Sequence, residues 1–195
     1  MNYALIFAGG RGERMNTKSR PKQFLELHGK PIIIYTLEQF DSHPLIDGIV
    51  VVILGGWEDY LRKLLKKFAI EKVVSVVPGG SCGQESIWNG LVALNEFADE
   101  DSVVLIHDGV RPLIDSETIS ANIESVRSKG SAITVTPAIE TVFLETDSHE
   151  IGTLVDRDKC YLARAPQSYY FKDVYNAYEM AKRELNWSYI DSATL

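Results

Sequence analysis

The chain has little cysteine and histidine and no long apolar run, and each shortage argues against a class of protein. The two cysteines, Cys82 and Cys160, lack paired metal-binding spacing, so we expect free thiols rather than a disulfide. The four histidines are scattered, which argues against a zinc site. No apolar run reaches the length of a membrane span, and no basic segment precedes one near the N-terminus. We therefore expect no membrane partner and a cytoplasmic location.

Positive charge is also scarce. The 195 residues include 20 Lys and Arg against 27 Asp and Glu, a formal net charge of −7. Such a balance argues against nucleic acid as a partner, because that interaction depends on many contacts between cations and phosphates. A small nucleotide needs only a local cluster of cations. The length and the 45% hydrophobic content predict one globular domain over residues 1–195.

A local cluster of cations follows the first apolar run, residues 3–7. Three of the next five positions are glycine, which allows the backbone to turn sharply and to present its N–H groups to a ligand. Five cations lie within a dozen residues of this loop. We predict that the segment holds a triphosphate. The residues concerned are Gly9, Gly10 and Gly12, with Arg11, Arg14, Lys18, Arg20 and Lys22.

Apolar runs alternate with helical patterns along the chain, which predicts βαβ units and a largely parallel sheet. Further along the chain this alternation stops, and two short strand-like runs flank a polar turn. This pattern predicts a projecting β-hairpin arm over about residues 138–160. The predicted strands cover residues 3–7, 49–54, 73–77, 103–106, 131–136 and 161–163. The predicted helices cover residues 30–40, 58–68, 84–97, 115–129 and 170–185, and the hairpin strands cover residues 140–145 and 152–155.

Three loops suited to a ligand follow predicted parallel strands. They are the first glycine loop, Gly79-Gly80 and the segment from His107 to Arg111. In open α/β sheets, ligands bind at the carboxyl ends of the strands, so we expect these loops to form one site. His107 is expected to be a buried residue at a strand end rather than an acid or base.

Two common phosphate loops are absent. The sequence has no Walker A motif, and a dinucleotide fingerprint would need a glycine at Met15. What remains is a glycine loop with Arg14 and Lys22, facing the single carboxylate of Asp108. One carboxylate together with phosphate oxygens is enough for Mg²⁺, and an ionised phosphate acceptor needs no general base. These residues suit nucleotidyl transfer to a phosphorylated acceptor, and a non-catalytic nucleotide-binding domain of a larger chain is the alternative.

Residues 5–15 and 21–24 resemble the signature of the cytidylyltransferases that activate polyol phosphates. Two branches of this family use D-ribitol 5-phosphate and 2-C-methyl-D-erythritol 4-phosphate. The resemblance implies a Rossmann-like three-layer nucleotidyltransferase fold, CTP as substrate and Mg²⁺ as cofactor. It extends along nearly the whole chain in the family's order, through Gly79-Gly80, Ser86, Asn89-Gly90-Leu91, His107-Asp108, Arg111-Pro112, Val155-Asp156-Arg157, Ala165-Pro166-Gln167 and Asp191-Ser192-Ala193.

The resemblance also implies roles for individual residues. Arg14 and Lys22 would be the catalytic cations, and Asp108 would hold Mg²⁺. The hairpin would be the arm of a homodimer, placing Thr141 and Arg157 in the partner's site. The residues expected at the CTP phosphates are Ala8, Gly9, Gly10 and Gly12, those at the cytosine end are Gly80 and Ser86, and those at the acceptor are Arg111, Thr141 and Arg157.

Two positions depart from the family. Gly83 stands where the family has arginine, so one nucleotide contact is lost or is replaced by Gln84. The family also continues beyond the position of Leu195 with a glycine-rich segment that carries a further lysine. We therefore expect either that a C-terminal part of the site is missing or that this chain is a truncated form. The runs 83–87 and 162–167 favour D-ribitol 5-phosphate as the acceptor, with 2-C-methyl-D-erythritol 4-phosphate as the alternative.

Overall fold

The computed structural model describes residues 1–10, 20–184 and 192–194, which form an α/β fold around a six-stranded sheet. The strand order is β5-β4-β1-β6-β10-β7, with β1, β4, β5 and β6 parallel. The strands are β1 Asn2–Ala8, β2 Glu26–Leu27, β3 Lys30–Pro31, β4 Gly48–Ile53, β5 Val73–Pro78, β6 Val103–Asp108, β7 Ser131–Pro137, β8 Phe143–Glu145, β9 Ile151–Leu154 and β10 Tyr161–Tyr170. The helices are α1 Ile32–Asp41, α2 Glu58–Lys67, α3 Gly83–Leu94, α4 Ser116–Lys129 and α5 Phe171–Arg183.

Helices cover both faces of the sheet and complete three layers. Alternate residues of β1 point to opposite faces, so Ala4 and Ile6 pack towards α1, α2 and α4. Tyr3 and Leu5 pack towards α3 and α5 on the other face. Because both faces are covered, β4 consists entirely of buried residues, as expected for a central parallel strand. The predicted three-layer, mostly parallel architecture is confirmed.

Strand β10 is longer than predicted and runs antiparallel to both β6 and β7. The prediction ended this strand at residue 163, whereas the structure continues it to Tyr170 although Pro166 cannot donate a ladder hydrogen bond. Here the register between β10 and β7 shifts between Ala163 and Gln167, so Pro166 falls in a bulge and pairing resumes beyond it. The antiparallel direction places the first half of β10 at the carboxyl edge of the parallel strands.

The predicted hairpin arm is present. Strands β8 and β9 form a separate two-stranded antiparallel sheet, and every residue in both is exposed. The turn between them is closed by the amide of His149, which donates to the carbonyl of Thr146 at 3.0 Å. The hairpin is therefore held mainly by its own backbone pairing.

Several predicted helix boundaries differ from the structure by one to three residues. Residues 30–31 form β3, paired with β2, so α1 begins only at Ile32. Helix α3 ends at Leu94, because the carbonyl of Phe97 accepts a hydrogen bond from the Tyr3 hydroxyl at 2.7 Å and the chain turns back to the sheet. Helix α5 begins one residue later than predicted, at Phe171, and residue 185 lies outside the described residues. Over the described ranges, no helix is both long and apolar enough to cross a membrane.

Candidate active site

Two glycine loops meet at the carboxyl edge of the sheet. A Cβ atom on Gly9 would lie 3.4 Å from the Cα of Gly79 and 3.1 Å from the Oγ of Ser86. A Cβ on Gly79 would lie 3.1 Å from the Cα of Gly9. The two backbones therefore approach too closely for larger residues, and Ser86 lies against both. By contrast, a Cβ on Gly10 would contact nothing described within 4 Å, so its surroundings are open.

Ser86 and Glu85 hold the second glycine loop from the first turn of α3. The Ser86 hydroxyl is buried, accepts the Gly80 amide at 3.0 Å and donates to the Cys82 carbonyl at 2.8 Å. The Glu85 carboxylate accepts both the amide and the hydroxyl of Ser81, and these bonds lower the pKa of Glu85. Since the Ser86 hydroxyl is already engaged in these two bonds, its main effect is to fix the backbone of the second glycine loop.

The segment Pro21 to Phe24 is fastened beneath the first glycine loop. The side-chain amide of Gln23 is fully buried and donates to the Ala8 carbonyl at 2.7 Å. Phe24 is also fully buried and stacks on Trp57 with ring centroids 5.0 Å apart. Lys22 lies next to these anchors, and it has no ion pair with any described residue. The backbone at Lys22 is therefore fixed by its neighbours, and its ammonium group is not neutralised by a described carboxylate.

The end of β6 forms a second, charged turn. Asp108 is opposite Phe7 in the register with β1, and the Gly109 amide donates to the Phe7 carbonyl at 3.0 Å. A Cβ on Gly109 would lie 2.9 Å from the Cβ of Ala8, so the two strand ends are in close contact. The Asp108 carboxylate accepts the Val110 amide at 3.0 Å and lies 3.4 Å from the Arg111 guanidinium.

His107 supports this turn from below. Its Nε2–H donates to the Arg111 carbonyl at 3.0 Å, and the ring lies against Phe40. Burial lowers the pKa of His107, which keeps the imidazole neutral. Since the ring is only 1% exposed, it cannot reach a substrate, and the expectation of a buried strand-end histidine is confirmed.

A cavity of about 300 Å³ opens beside Asp108 at this edge of the sheet. Its lining joins three regions that are distant in sequence: the β6 turn with Asp108 and Arg111, the start of α3, and the bulged part of β10. Gln84 lines it from α3, with its side chain buried and its carbonyl oxygen accepting the Tyr178 hydroxyl at 2.5 Å. Gly83 also lines the cavity, where the family has its arginine.

Thr141 and Arg157 lie together elsewhere, in a hollow at the base of the hairpin arm. Both are exposed, and the Arg157 guanidinium donates to the Ile139 carbonyl at 3.2 Å. The lining of this hollow shares no residue with the cavity beside Asp108. Within one chain, the structure thus separates these two residues from the other acceptor residue, Arg111.

Two predicted site residues, Gly12 and Arg14, lie outside the described residues. The described ones fall into three groups: the glycine loops with Ser86 and the adjacent Lys22, the Asp108–Arg111 turn, and the Thr141–Arg157 hollow. The supporting roles of Gln23, Glu85 and Trp57 were not predicted from the sequence. One weak signal was present, since Glu85 lies in the first turn of a predicted helix.

The oxygen ligands at the carboxyl edge of the sheet suit Mg²⁺ only if substrate phosphate oxygens complete its coordination. The described residues contain no group of three or more histidine, cysteine or acidic side chains that could hold a metal by itself. Asp108 supplies one partly exposed carboxylate at the end of β6. Mg²⁺ commonly binds one or two carboxylates together with substrate phosphate oxygens, and one carboxylate beside a phosphate-binding loop meets that need.

A model of the family described as IspD, 2-C-methyl-D-erythritol 4-phosphate cytidylyltransferase, matches residues 3–195. The chain is 54% identical over its whole length to the ribitol-5-phosphate cytidylyltransferase of Vibrio parahaemolyticus and covers 82% of that protein. It is 51% identical, again over its whole length, to the enzyme of the same name from Streptococcus agalactiae serotype V, covering 81% of it. A 2-C-methyl-D-erythritol 4-phosphate cytidylyltransferase from Clostridium acetobutylicum is 33% identical over 94% of this chain and 79% of that one.

Solved structures agree on the fold. The 4-diphosphocytidyl-2C-methyl-D-erythritol synthase of Anaerococcus prevotii superimposes with a TM-score of 0.81 at 28% identity, covering 99% of this chain and 79% of that one. The Francisella tularensis 2-C-methyl-D-erythritol 4-phosphate cytidylyltransferase gives a TM-score of 0.78, also at 28% identity, over 98% of this chain and 83% of that one. The three-layer architecture is thus shared with proteins of low sequence identity.

Proposed function

Since the chain belongs to the IspD family of cytidylyltransferases, we propose that it transfers CMP from CTP to D-ribitol 5-phosphate, giving CDP-ribitol and pyrophosphate. The observation that carries the choice of acceptor is the difference in identity. Four relatives named for ribitol 5-phosphate are 51–54% identical over the full chain, whereas the Clostridium relative named for 2-C-methyl-D-erythritol 4-phosphate is 33% identical. Because the reaction consumes CTP, we place it in the cytoplasm.

In this proposal the first glycine loop and Lys22 bind the CTP phosphates. The backbone N–H groups of Gly9 and Gly10 face the triphosphate. The Gly80 N–H is already held by the Ser86 hydroxyl, which keeps the second glycine loop in position at the cytosine end. Lys22 stabilises the charge that develops on the α-phosphoryl group under attack. Arg14, outside the described residues, is proposed to assist it.

Asp108 would hold Mg²⁺ together with the phosphates of CTP. The cation would supply charge neutralisation on the triphosphate and the leaving pyrophosphate. Arg111 restrains the Asp108 carboxylate through their 3.4 Å ion pair and faces the same cavity, where it would bind the phosphate of the acceptor. That phosphate is ionised at neutral pH, so its oxygen attacks the α-phosphorus without a general base.

We further propose a homodimer formed through the hairpin arm. The arm exposes large apolar side chains, among them Ile139 at 82% and Ile151 at 76%. Apolar side chains concentrated on one projecting element commonly mark a protein interface, and a second copy of this chain fits the family. In such a dimer, Thr141 and Arg157 would reach the acceptor in the partner's site, which accounts for their separation from Arg111 here.

The test is release of pyrophosphate from CTP, with each of the two polyol phosphates offered separately. We expect turnover with D-ribitol 5-phosphate, at least tenfold higher kcat/KM (about 1.4 kcal/mol) than with 2-C-methyl-D-erythritol 4-phosphate, and none after Mg²⁺ is removed with a chelator. The second acceptor is retained as a candidate because the matching family model carries its name. A preference for that compound would overturn the choice of ribitol phosphate, and no turnover with either would overturn the proposed reaction.

A further inference from the structure

Three consecutive residues of β10, Ala163, Arg164 and Ala165, all line the cavity beside Asp108. A regular strand cannot do this, because successive side chains point to opposite faces. The register explains the exception. Ala163 is opposite Val135 and Gln167 is opposite Ile133, so four steps along β10 correspond to two along β7. The bulge turns this part of the strand towards the cavity, and such bulges often re-aim side chains beside active sites.

The bulge brings a cation into the cavity wall. The Nε–H of Arg164 donates to the Thr136 hydroxyl at 3.2 Å, which orients the guanidinium plane. Within the described ranges, Arg164 has no carboxylate within ion-pair distance, and the lining contains Asp108 as its one carboxylate beside the two guanidinium groups of Arg111 and Arg164. The wall therefore carries a net positive charge and suits an anion.

Arg164 lies on the side of the cavity away from the glycine loops. The sheet order is β5-β4-β1-β6-β10-β7, so the glycine loops after β1 and β5 are on one side of Asp108, which ends β6. Strand β10 is on the other side of β6, and Gln167 pairs with Ile106 near the end of that strand. A ligand bound at Arg164 would therefore face the triphosphate across Asp108.

We propose that Arg164 binds the phosphate of the polyol acceptor, together with Arg111. The proposal rests on the proposed function and names the residue that holds the attacking group. In the reaction, one acceptor phosphate oxygen forms a bond to the α-phosphorus of CTP, the bond from that phosphorus to the β-phosphate bridging oxygen breaks, and pyrophosphate leaves. Arg164 holds oxygens of the acceptor phosphate that do not react, because a guanidinium fork matches a phosphate group with two parallel hydrogen bonds.

The test compares Arg164→Gln and Arg164→Lys with the unchanged chain, using D-ribitol 5-phosphate and CTP. We expect Arg164→Gln to raise the KM for the polyol phosphate about 10- to 100-fold, with the KM for CTP changed less than about twofold. Arg164→Lys keeps the charge but loses the fork, so it should recover only part of the affinity. Arg62→Gln is the matched control, because Arg62 is an exposed arginine on α2 that does not line the cavity.

An unchanged KM for the polyol phosphate, or an equal rise in both KM values, would overturn the role of Arg164. Failure of the proposed function is separate, since it appears as absence of turnover in the unchanged chain. In that case calorimetric titration with inorganic phosphate decides on Arg164. Binding that is at least tenfold weaker in Arg164→Gln supports the assignment (about 1.4 kcal/mol), whereas equal binding, or no binding to the unchanged chain, rejects it.

Discussion

The two sides of the candidate site are built by different means. On the proposed nucleotide side, Gly9 packs so closely against Gly79 that there is no room for a side chain at either position. Ser86 and Gln23 hold the glycine loops with buried hydrogen bonds. On the acceptor side, exposed arginines line an open cavity and the hairpin arm is exposed throughout. In the proposed function, backbone geometry would therefore hold the triphosphate, whereas side chains would recognise the acceptor.

This difference explains how one fold can serve more than one acceptor. Exchanging an exposed arginine at the cavity wall costs little stability, because it alters no buried packing. Exchanging Gly79 would force two backbone segments apart, because a Cβ there would lie 3.1 Å from the Cα of Gly9. We therefore expect variants on the nucleotide side to affect CTP and stability, and variants on the acceptor side to affect the polyol phosphate alone.

Among the variants that test the difference between the two sides of the site, Lys22→Ala should have the largest effect on the rate. Loss of a cation that stabilises the charged transition state should lower kcat about 100- to 1,000-fold. The fold should persist, because the neighbouring anchors Gln23 and Phe24 remain buried. Steady-state pyrophosphate release measures the rate, and thermal denaturation checks the fold.

Lys63→Ala provides the matched control, since this exposed lysine lies on α2 and does not line the cavity. Its kcat should equal that of the unchanged chain. A folded Lys22→Ala variant with kcat within about twofold of the unchanged chain would rule out the catalytic role of Lys22.

A second, smaller effect tests the acceptor side through the arm. Arg157→Gln should raise the KM for D-ribitol 5-phosphate about tenfold, because a charge-assisted hydrogen bond to phosphate is lost. If Arg157 acts across a dimer, a hybrid of one Lys22→Ala chain with one Arg157→Gln chain contains one intact site. Such a hybrid, purified through two different tags, should keep about half of the normal kcat/KM.

The control for the hybrid is a dimer in which both chains carry both substitutions, and it should be inactive. If Arg157 acts within its own chain, the hybrid has no intact site and shows only half of the activity of Arg157→Gln. A monomer by light scattering would contradict the proposed arm interface directly.

The smallest expected effect is that of Ser86→Ala on the nucleotide side. The change removes a hydrogen bond to the Gly80 amide and leaves that N–H without its partner, which should lower the free energy of unfolding by about 1–2 kcal/mol. We expect the KM for CTP to rise about fivefold as the loop loosens, with the KM for the acceptor unchanged. Chemical denaturation and steady-state kinetics measure the two quantities.

Ser128→Ala is a closely matched control. Its hydroxyl donates to the carbonyl four residues earlier at 2.8 Å, just as the Ser86 hydroxyl does, but it touches no glycine loop. This variant should leave both KM values unchanged. A Ser86→Ala chain with a normal KM for CTP would show that the loop keeps its position without the serine.

Much of the fold could be predicted because burial leaves a local pattern. The run that became β4 is apolar throughout, as a strand covered on both faces must be, and the polar turn at residues 147–149 marked the hairpin. The loops at Gly9, Gly79 and Asp108 were expected to meet, since carboxyl ends of parallel strands share one edge. Their assigned roles in binding and catalysis stay predictions.

Other features depended on partners far away in sequence. The direction of β10 is decided by its pairing with β6 and β7, and the local hydrophobic periodicity does not indicate it. The burial of Gln23 depends on its hydrogen bond to the Ala8 carbonyl. A polar residue in a short loop gives little indication of such a partner.

The sequence by itself determined the α/β alternation, the presence of a glycine-rich loop after the first strand and the family, because each depends on contiguous residues and their order. Only the tertiary structure decided which side of Asp108 each group occupies. The bulge that turns Arg164 into the cavity arises where β10 must pass Pro166 and still pair with two strands. That requirement exists only once the sheet is assembled, so no local sequence pattern predicts it.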